Sequence, residues 1–173
     1  QFQGGGLASY RRCAKKVLVA LGVAAMLGNS SAMAADPHLC VTRSEVPALE
    51  TRLLQTELMV AALTCKQRAG YNSIIAKFSD ELVDGGRVLK RLFKRLHGVN
   101  SEKRLNRFIT RLANEASVRS LHKVEYCESA SKLMHQTLAL KVGALTDFAG
   151  SKKFTKRHGL ALCDTASQIS QSN

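Results

Sequence analysis

The chain has 173 residues, with 26 Lys and Arg against 13 Asp and Glu, a hydrophobic content of 45%, five Cys, two Pro and no Trp. That balance excludes a wholly disordered chain and a multi-span membrane protein, and the length fits one domain with a packed core. The net charge of +13 favours anionic surroundings without naming a reaction.

The chain opens on Gln1 rather than Met, which reads as an incomplete frame or a processed start, so residues 1–10 enter no argument. Arg11, Arg12, Lys15 and Lys16 then form a basic region, Val17–Leu27 is an uncharged apolar run, and Ala32-Met33-Ala34 is an A-x-A site. Together they predict a secretory signal peptide cleaved after Ala34. The run falls short of the ~20 apolar residues that a bilayer-crossing helix needs, so no transmembrane anchor is expected in the mature form. Arg11-Arg12 matches a twin-Arg signal poorly, because Cys13-Ala14-Lys15 follows it. Neither Cys13, before the apolar run, nor Cys40, after His38-Leu39, sits in a lipidation site. The expected organisation is a leader over residues 1–34 and a single helical domain over 35–173, periplasmic or secreted. Without its leader the domain keeps 22 basic and 13 acidic residues, a net charge of +9.

In the mature chain, Ser44 as N-cap, Pro47 in the first turn, and Val46, Leu49, Leu53, Val60 and Leu63 at helical spacing predict a first helix to about Gln67. Gly70 is its expected stop. Tyr71-Asn72-Ser73 restarts a second helix through Ile74, Ile75, Phe78, Leu82, Leu89, Leu92, Phe93 and Leu96 to His97, with a kink or break at Gly85-Gly86. Gly98 is a terminator and Asn100-Ser101 the next start. Leu105, Phe108, Ile109, Leu112, Ala113 and Ala116 form the apolar stripe of a third helix, the clearest amphipathic pattern in the chain. A fourth runs from about Val124 to Val142 with Leu133, Met134, Leu138 and Leu140, and Gly143 ends it. Residues 151–158 read as a basic loop, and 160–166 as one short helix. No period-two alternation or hairpin signal appears, which predicts an all-α, antiparallel bundle of about four main helices.

Export places Cys40, Cys65, Cys127 and Cys163 where thiols oxidise, and an even number predicts two disulfides. Zinc fits poorly, because the four lack close pairing and no His pair lies nearby. Cys65 lies ~28 Å along the first helix from its start, out of easy reach of Cys40. Helices running up, down and up bring Cys65 and Cys127 to the same end, so Cys65–Cys127 and Cys40–Cys163 are the expected pairs.

No catalytic motif is visible. There is no G-x-S-x-G elbow, no phosphate-cradling Gly loop in the mature chain, no H-E-x-x-H, no C-x-x-C-H and no His-Asp pair of the kind secreted phospholipases carry on a helix. Met59 or Met134 facing a His could ligate a haem, but Met at helical spacing is ordinarily core, and no cofactor or metal is expected. Glu57 and Glu115 sit amid apolar neighbours. Burial of such a carboxylate would suit general-acid chemistry, whereas pairing with Arg52, Arg68 or Arg111 is the structural alternative. Polar residues in apolar stripes, namely Glu57, Thr64, Asn106, Asn114 and Glu115, form a candidate polar interior, setting helix register or lining a small ligand site. Arg87, Lys90, Arg91, Lys94, Arg95, Lys103, Arg104, Arg107 and Arg111 form a candidate basic surface, either a solvated face or a contact for anionic envelope lipids. Nucleic acid is not an expected partner: export removes the chromosome, and the chain lacks the aromatic interleaving of single-strand binders.

Glu57-Leu58-Met59-Val60-Ala61-Ala62-Leu63-Thr64-Cys65 with Tyr71-Asn72, then Arg104–Ser117 (RLNRFITRLANEAS), then Tyr126-Cys127, resemble stretches of an uncharacterised family of small exported proteins from alphaproteobacteria. The resemblance covers about residues 45–130. It implies an envelope location and a helical, cysteine-bearing domain, and no catalytic residues. The expected function is therefore an exported, non-enzymatic helical protein that binds an envelope partner or stabilises an envelope assembly. The alternatives are an envelope enzyme using a buried carboxylate and an electrostatic binder of an anionic envelope surface.

Overall fold

A computed structural model describes residues 40–152 and 154–163, all within the unit Met33–Asn173. The expected leader, and the cleavage site expected after Ala34, lie outside the described residues. Those described are all-α: α1 (Val46–Thr64), α2 (Arg68–Lys77), α3 (Ser79–His97), α4 (Ser101–His122), α5 (Tyr126–Leu138) and α6 (Leu145–Ser151), with 3-10 turns at Gly98–Asn100 and Phe154–Arg157. Among them there is no strand, only an isolated parallel bridge between Val41 and Leu162. No helix among the described residues is long and apolar enough to cross a membrane.

α1 is the hub. It packs against each of the other five α-helices and the second 3-10 turn. Its buried residues, among them Leu49, Leu53, Leu54, Leu58, Ala61 and Ala62, are distributed around the cylinder rather than along one stripe, the pattern of a helix enclosed on most sides. The core they share with Ile74, Phe78, Leu89, Leu92, Phe93, Phe108, Leu112, Met134 and Leu145 is continuous. α3 and α4, joined through Gly98 at φ +53°, lie side by side over α1. Gly98 ends α3 in a backbone region that disfavours residues with a Cβ.

Both expected disulfides are present. Cys65–Cys127 joins the end of α1 to the start of α5, with Cα atoms 5.5 Å apart. Cys40–Cys163 joins the two ends of the described chain, with Cα atoms 5.0 Å apart. The outer bridge is reinforced by Val41 N–H donating to Ala161 O (2.8 Å) and Cys163 N–H donating to Val41 O (2.9 Å).

Among the described residues, six α-helices replace the four main ones expected. The second predicted helix divides at Phe78, whose φ and ψ of −112° and 24° leave the helical region, and α3 passes unbroken through Gly85-Gly86. Phe78 is 1% exposed, and Lys77 reaches from beside it to donate to Leu138 O (2.8 Å). Burying that ring fixes the change of direction. Gly70 lies inside α2, and the first helix ends earlier, at Thr64. The N-cap of α1 is Glu45 rather than Ser44. The predicted fourth helix stops at Leu138, and a further helix, α6, follows. Glu81 on α3 accepts from Gly143 N–H (2.8 Å) and Leu145 N–H (3.1 Å), satisfying donors at the start of α6 with a carboxylate 64 residues away. The basic stretch 154–157 is a 3-10 turn, and residues 159–163 are not helical; 164–166 lie outside the described residues.

Candidate functional site

α3 and α4 meet through Leu89, Leu92, Phe93, Leu105, Phe108 and Leu112, all buried. Phe93 and Phe108 pack with their rings tilted by 50° and 5.1 Å between centroids. Because the apolar stripe of each helix is committed to this seam and to α1, the intervening positions point away from it. There the sequence supplies cations. Lys90, Arg91, Lys94, Lys103, Arg104 and Arg107 are exposed, and none has a carboxylate within ion-pair distance among the described residues.

The other three members of the expected basic surface are tied to structure. Arg87 pairs with Asp84 one turn earlier. Arg95 donates to Glu45 Oε2 (2.5 Å) and Cys40 O (2.9 Å), fastening α3 to the chain before α1. Arg111 donates to Glu115 Oε1 (2.8 Å) and to His158 O (2.6 Å).

A groove of about 500 Å³ opens between α3 and α4. Lys90, Arg91 and Lys94 line one bank, Glu102 and Asn106 the other, and Phe93 and Leu105 are at its apolar base. The pKa of His97, at the end of α3, is pushed below the usual imidazole value by partial desolvation and then by the charge of Arg104.

The expected polar interior does not assemble. Thr64, Asn106 and Asn114 are exposed, because the α1 and α4 stripes close over Val60, Ala61, Leu105, Leu112 and Ala116 instead. Glu115 is half-buried and pairs with Arg111 one turn earlier on α4. Glu57 is shared by Arg119 and Arg157 (3.3 Å), neither of which was among its expected partners; both come from distant chain, 62 and 100 residues on.

A cleft of about 150 Å³ lies beside Glu57, with Lys123, Tyr126 and Arg157 on its walls and no His or Asp among the lining residues. Burial raises the Tyr126 phenol above its ordinary pKa, and the Glu57 charge adds to that while Arg119 opposes it. A second acid or imidazole converging on Glu57, which paired general acid–base chemistry needs, is not part of this cleft. Among the described residues no group of three His, Cys, Asp or Glu is placed to hold a metal ion.

Two buried side chains escaped the sequence reading. Glu50 and His158 lie 7% and 1% exposed. His158 Nδ1 accepts from Leu160 N–H (3.1 Å). His158 follows a basic stretch that resembles a loop, and nothing in its local pattern signals burial. No protein-family model, no curated protein and no solved structure matches this chain.

Proposed function

We propose that this protein is an exported, non-enzymatic helical binding protein, periplasmic or secreted, that attaches to an anionic envelope surface through the outer face of α3 and α4. The observation that carries the reading is the set of six exposed cations without carboxylate partners on α3 and α4, three of which, Lys90, Arg91 and Lys94, line a groove with an apolar base. Structural ion pairs absorb Arg87, Arg95 and Arg111, whereas Lys90, Arg91, Lys94, Lys103, Arg104 and Arg107 serve no internal bond and repel one another across the face. A surface of that kind gains from contact with acidic lipid headgroups, at about 1 kcal/mol for each basic side chain near the membrane. The disulfides and the leader-like N-terminal segment support the exported location.

The test is co-sedimentation with vesicles of acidic and of neutral phospholipid at rising salt. Binding to the acidic vesicles alone is expected, falling away as ionic strength shortens the Debye length to ~8 Å and below. The double variant Arg91→Gln, Lys94→Gln is expected to weaken that binding about 30-fold. Equal binding to neutral vesicles, or acidic-vesicle binding indifferent to salt, would overturn the reading.

A further inference from the structure

The apolar stripe of α3 runs Leu82, Leu89, Leu92, Phe93, Leu96, and at the turn between Leu82 and Leu89 it carries Gly85 and Gly86. A Cβ added at either glycine meets no atom within 4 Å. The missing side chains leave a cleft of about 140 Å³ between α1, α3 and α4. Leu82, Leu89, Leu105 and Ile109 supply its apolar wall, and Thr51, Arg52, Gln55 and Lys90 its polar groups. No acidic residue lines it.

The polar groups of α1 in this cleft are under-used. Three threonines of the core are buried, and two of them, Thr56 and Thr137, donate to the carbonyl four residues earlier (2.8 Å each). Thr51, 3% exposed, has no hydrogen-bond partner for Oγ1 among the described residues. Arg52 donates from Nη1 to Gln55 Oε1 (2.7 Å), and its Nε has no partner. Burial lowers the pKa of Arg52, and no carboxylate lies within ion-pair distance to offset that cost. A half-buried guanidinium held by a neutral amide, beside an apolar wall and with no acidic residue lining the cleft, is a receptor for an anion with an apolar body.

We propose that the α1–α3–α4 cleft binds a small apolar monocarboxylate, its carboxylate on Arg52 with Lys90 at the rim, and its body in the space that Gly85 and Gly86 leave open. Size selects the ligand class. The cleft is close to the ~150 Å³ that encloses a single benzene ring and well below the 300–1,000 Å³ of sites for larger ligands, so one ring or a short branched chain fits. The planar fork of a guanidinium matches the two oxygens of a carboxylate. This inference is independent of the attachment proposed above, though Lys90 and Leu105 border both the cleft and the outer groove.

The experiment is a titration of the full, oxidised chain with benzoate, with benzamide as the neutral isostere and inorganic phosphate as a bare anion, followed by calorimetry and by amide chemical shifts. Saturable benzoate binding in the millimolar range or tighter is expected, with shifts centred on Thr51, Gly85 and Gly86 and benzamide at least about tenfold weaker. Arg52→Met is expected to abolish benzoate binding and leave acidic-vesicle binding intact, whereas Arg91→Gln, Lys94→Gln weakens vesicle binding about 30-fold and leaves benzoate binding intact. Benzamide binding as well as benzoate, phosphate competing on equal terms, Arg52→Met binding benzoate unchanged, or no saturation by about 20 mM would each overturn the assignment.

Discussion

Glu57 holds two arginines that approach it from chain 62 and 100 residues away, so its carboxylate joins α1 to the end of α4 and to the 154–157 turn. Replacing it by Gln leaves both guanidiniums against a neutral amide in a site where the Glu57 side chain is only 12% exposed. A loss of about 1–2 kcal/mol is expected, the range for hydrogen bonds to charged groups discounted for the half-exposed arginines, and denaturant melts of Glu57→Gln would measure it. His158 supplies a pH dependence. Desolvation pushes its pKa below that of an exposed imidazole; the charge of Arg111 acts in the same direction and that of Glu50 against it. Because the folded pKa lies under the unfolded value near 6.5, the unfolded chain takes up a proton first as pH falls, and stability declines from about pH 6.5 down to the folded pKa. His97 is shifted in the same direction and adds to the slope. His158→Gln is therefore expected to flatten the pH–stability curve below neutrality, leaving the contribution of His97. A slope unchanged by that substitution would mean that His158 takes up its proton equally in both states.

At the scale of the helices, α3 carries Gly85 and Gly86 in its interior. Each costs the helix backbone entropy, and a Cβ at either meets open space. Gly85→Ala and Gly86→Ala are each expected to stabilise by about 0.5–1 kcal/mol, read as a higher melting temperature. A helix already bent at these positions would gain nothing. The same pair shows where the sequence was legible and where it was not. α4 announces itself through Leu105, Phe108, Leu112 and Ala116, whose spacing matches the face it buries. The α2–α3 boundary does not, because local propensity places the break at two glycines, whereas the enclosed ring of Phe78 places it seven residues earlier. α6 was invisible for the same kind of reason: its first donors are satisfied by Glu81, a residue that no window of local sequence contains. The basic face was legible because charge patterning is local. The roles of Arg87, Arg95 and Arg111 within it, and the exposure of Thr64, Asn106 and Asn114, depend on which helices become neighbours.

For the molecule as a whole, the two disulfides close loops of very different span, with sequence separations of 123 and 62. The pairing could be argued from the sequence because α1 is long enough to hold Cys65 away from Cys40. Removing either bridge is expected to cost about 2–5 kcal/mol, which Cys40→Ser, Cys163→Ser and Cys65→Ser, Cys127→Ser double variants would measure separately. The outer bridge is the more specific in effect, since it also holds Val41 against Ala161 and Cys163. Its placement has a mechanical consequence. Load applied upstream of Cys40 and downstream of Cys163 runs through a covalent link between adjacent residues, so tension across the two tails bypasses the helices entirely. Pulled from those tails, the oxidised protein would lengthen by nothing between the outer cysteines. Cutting that link while Cys65–Cys127 survives would free only about half of the intervening chain to pay out under force.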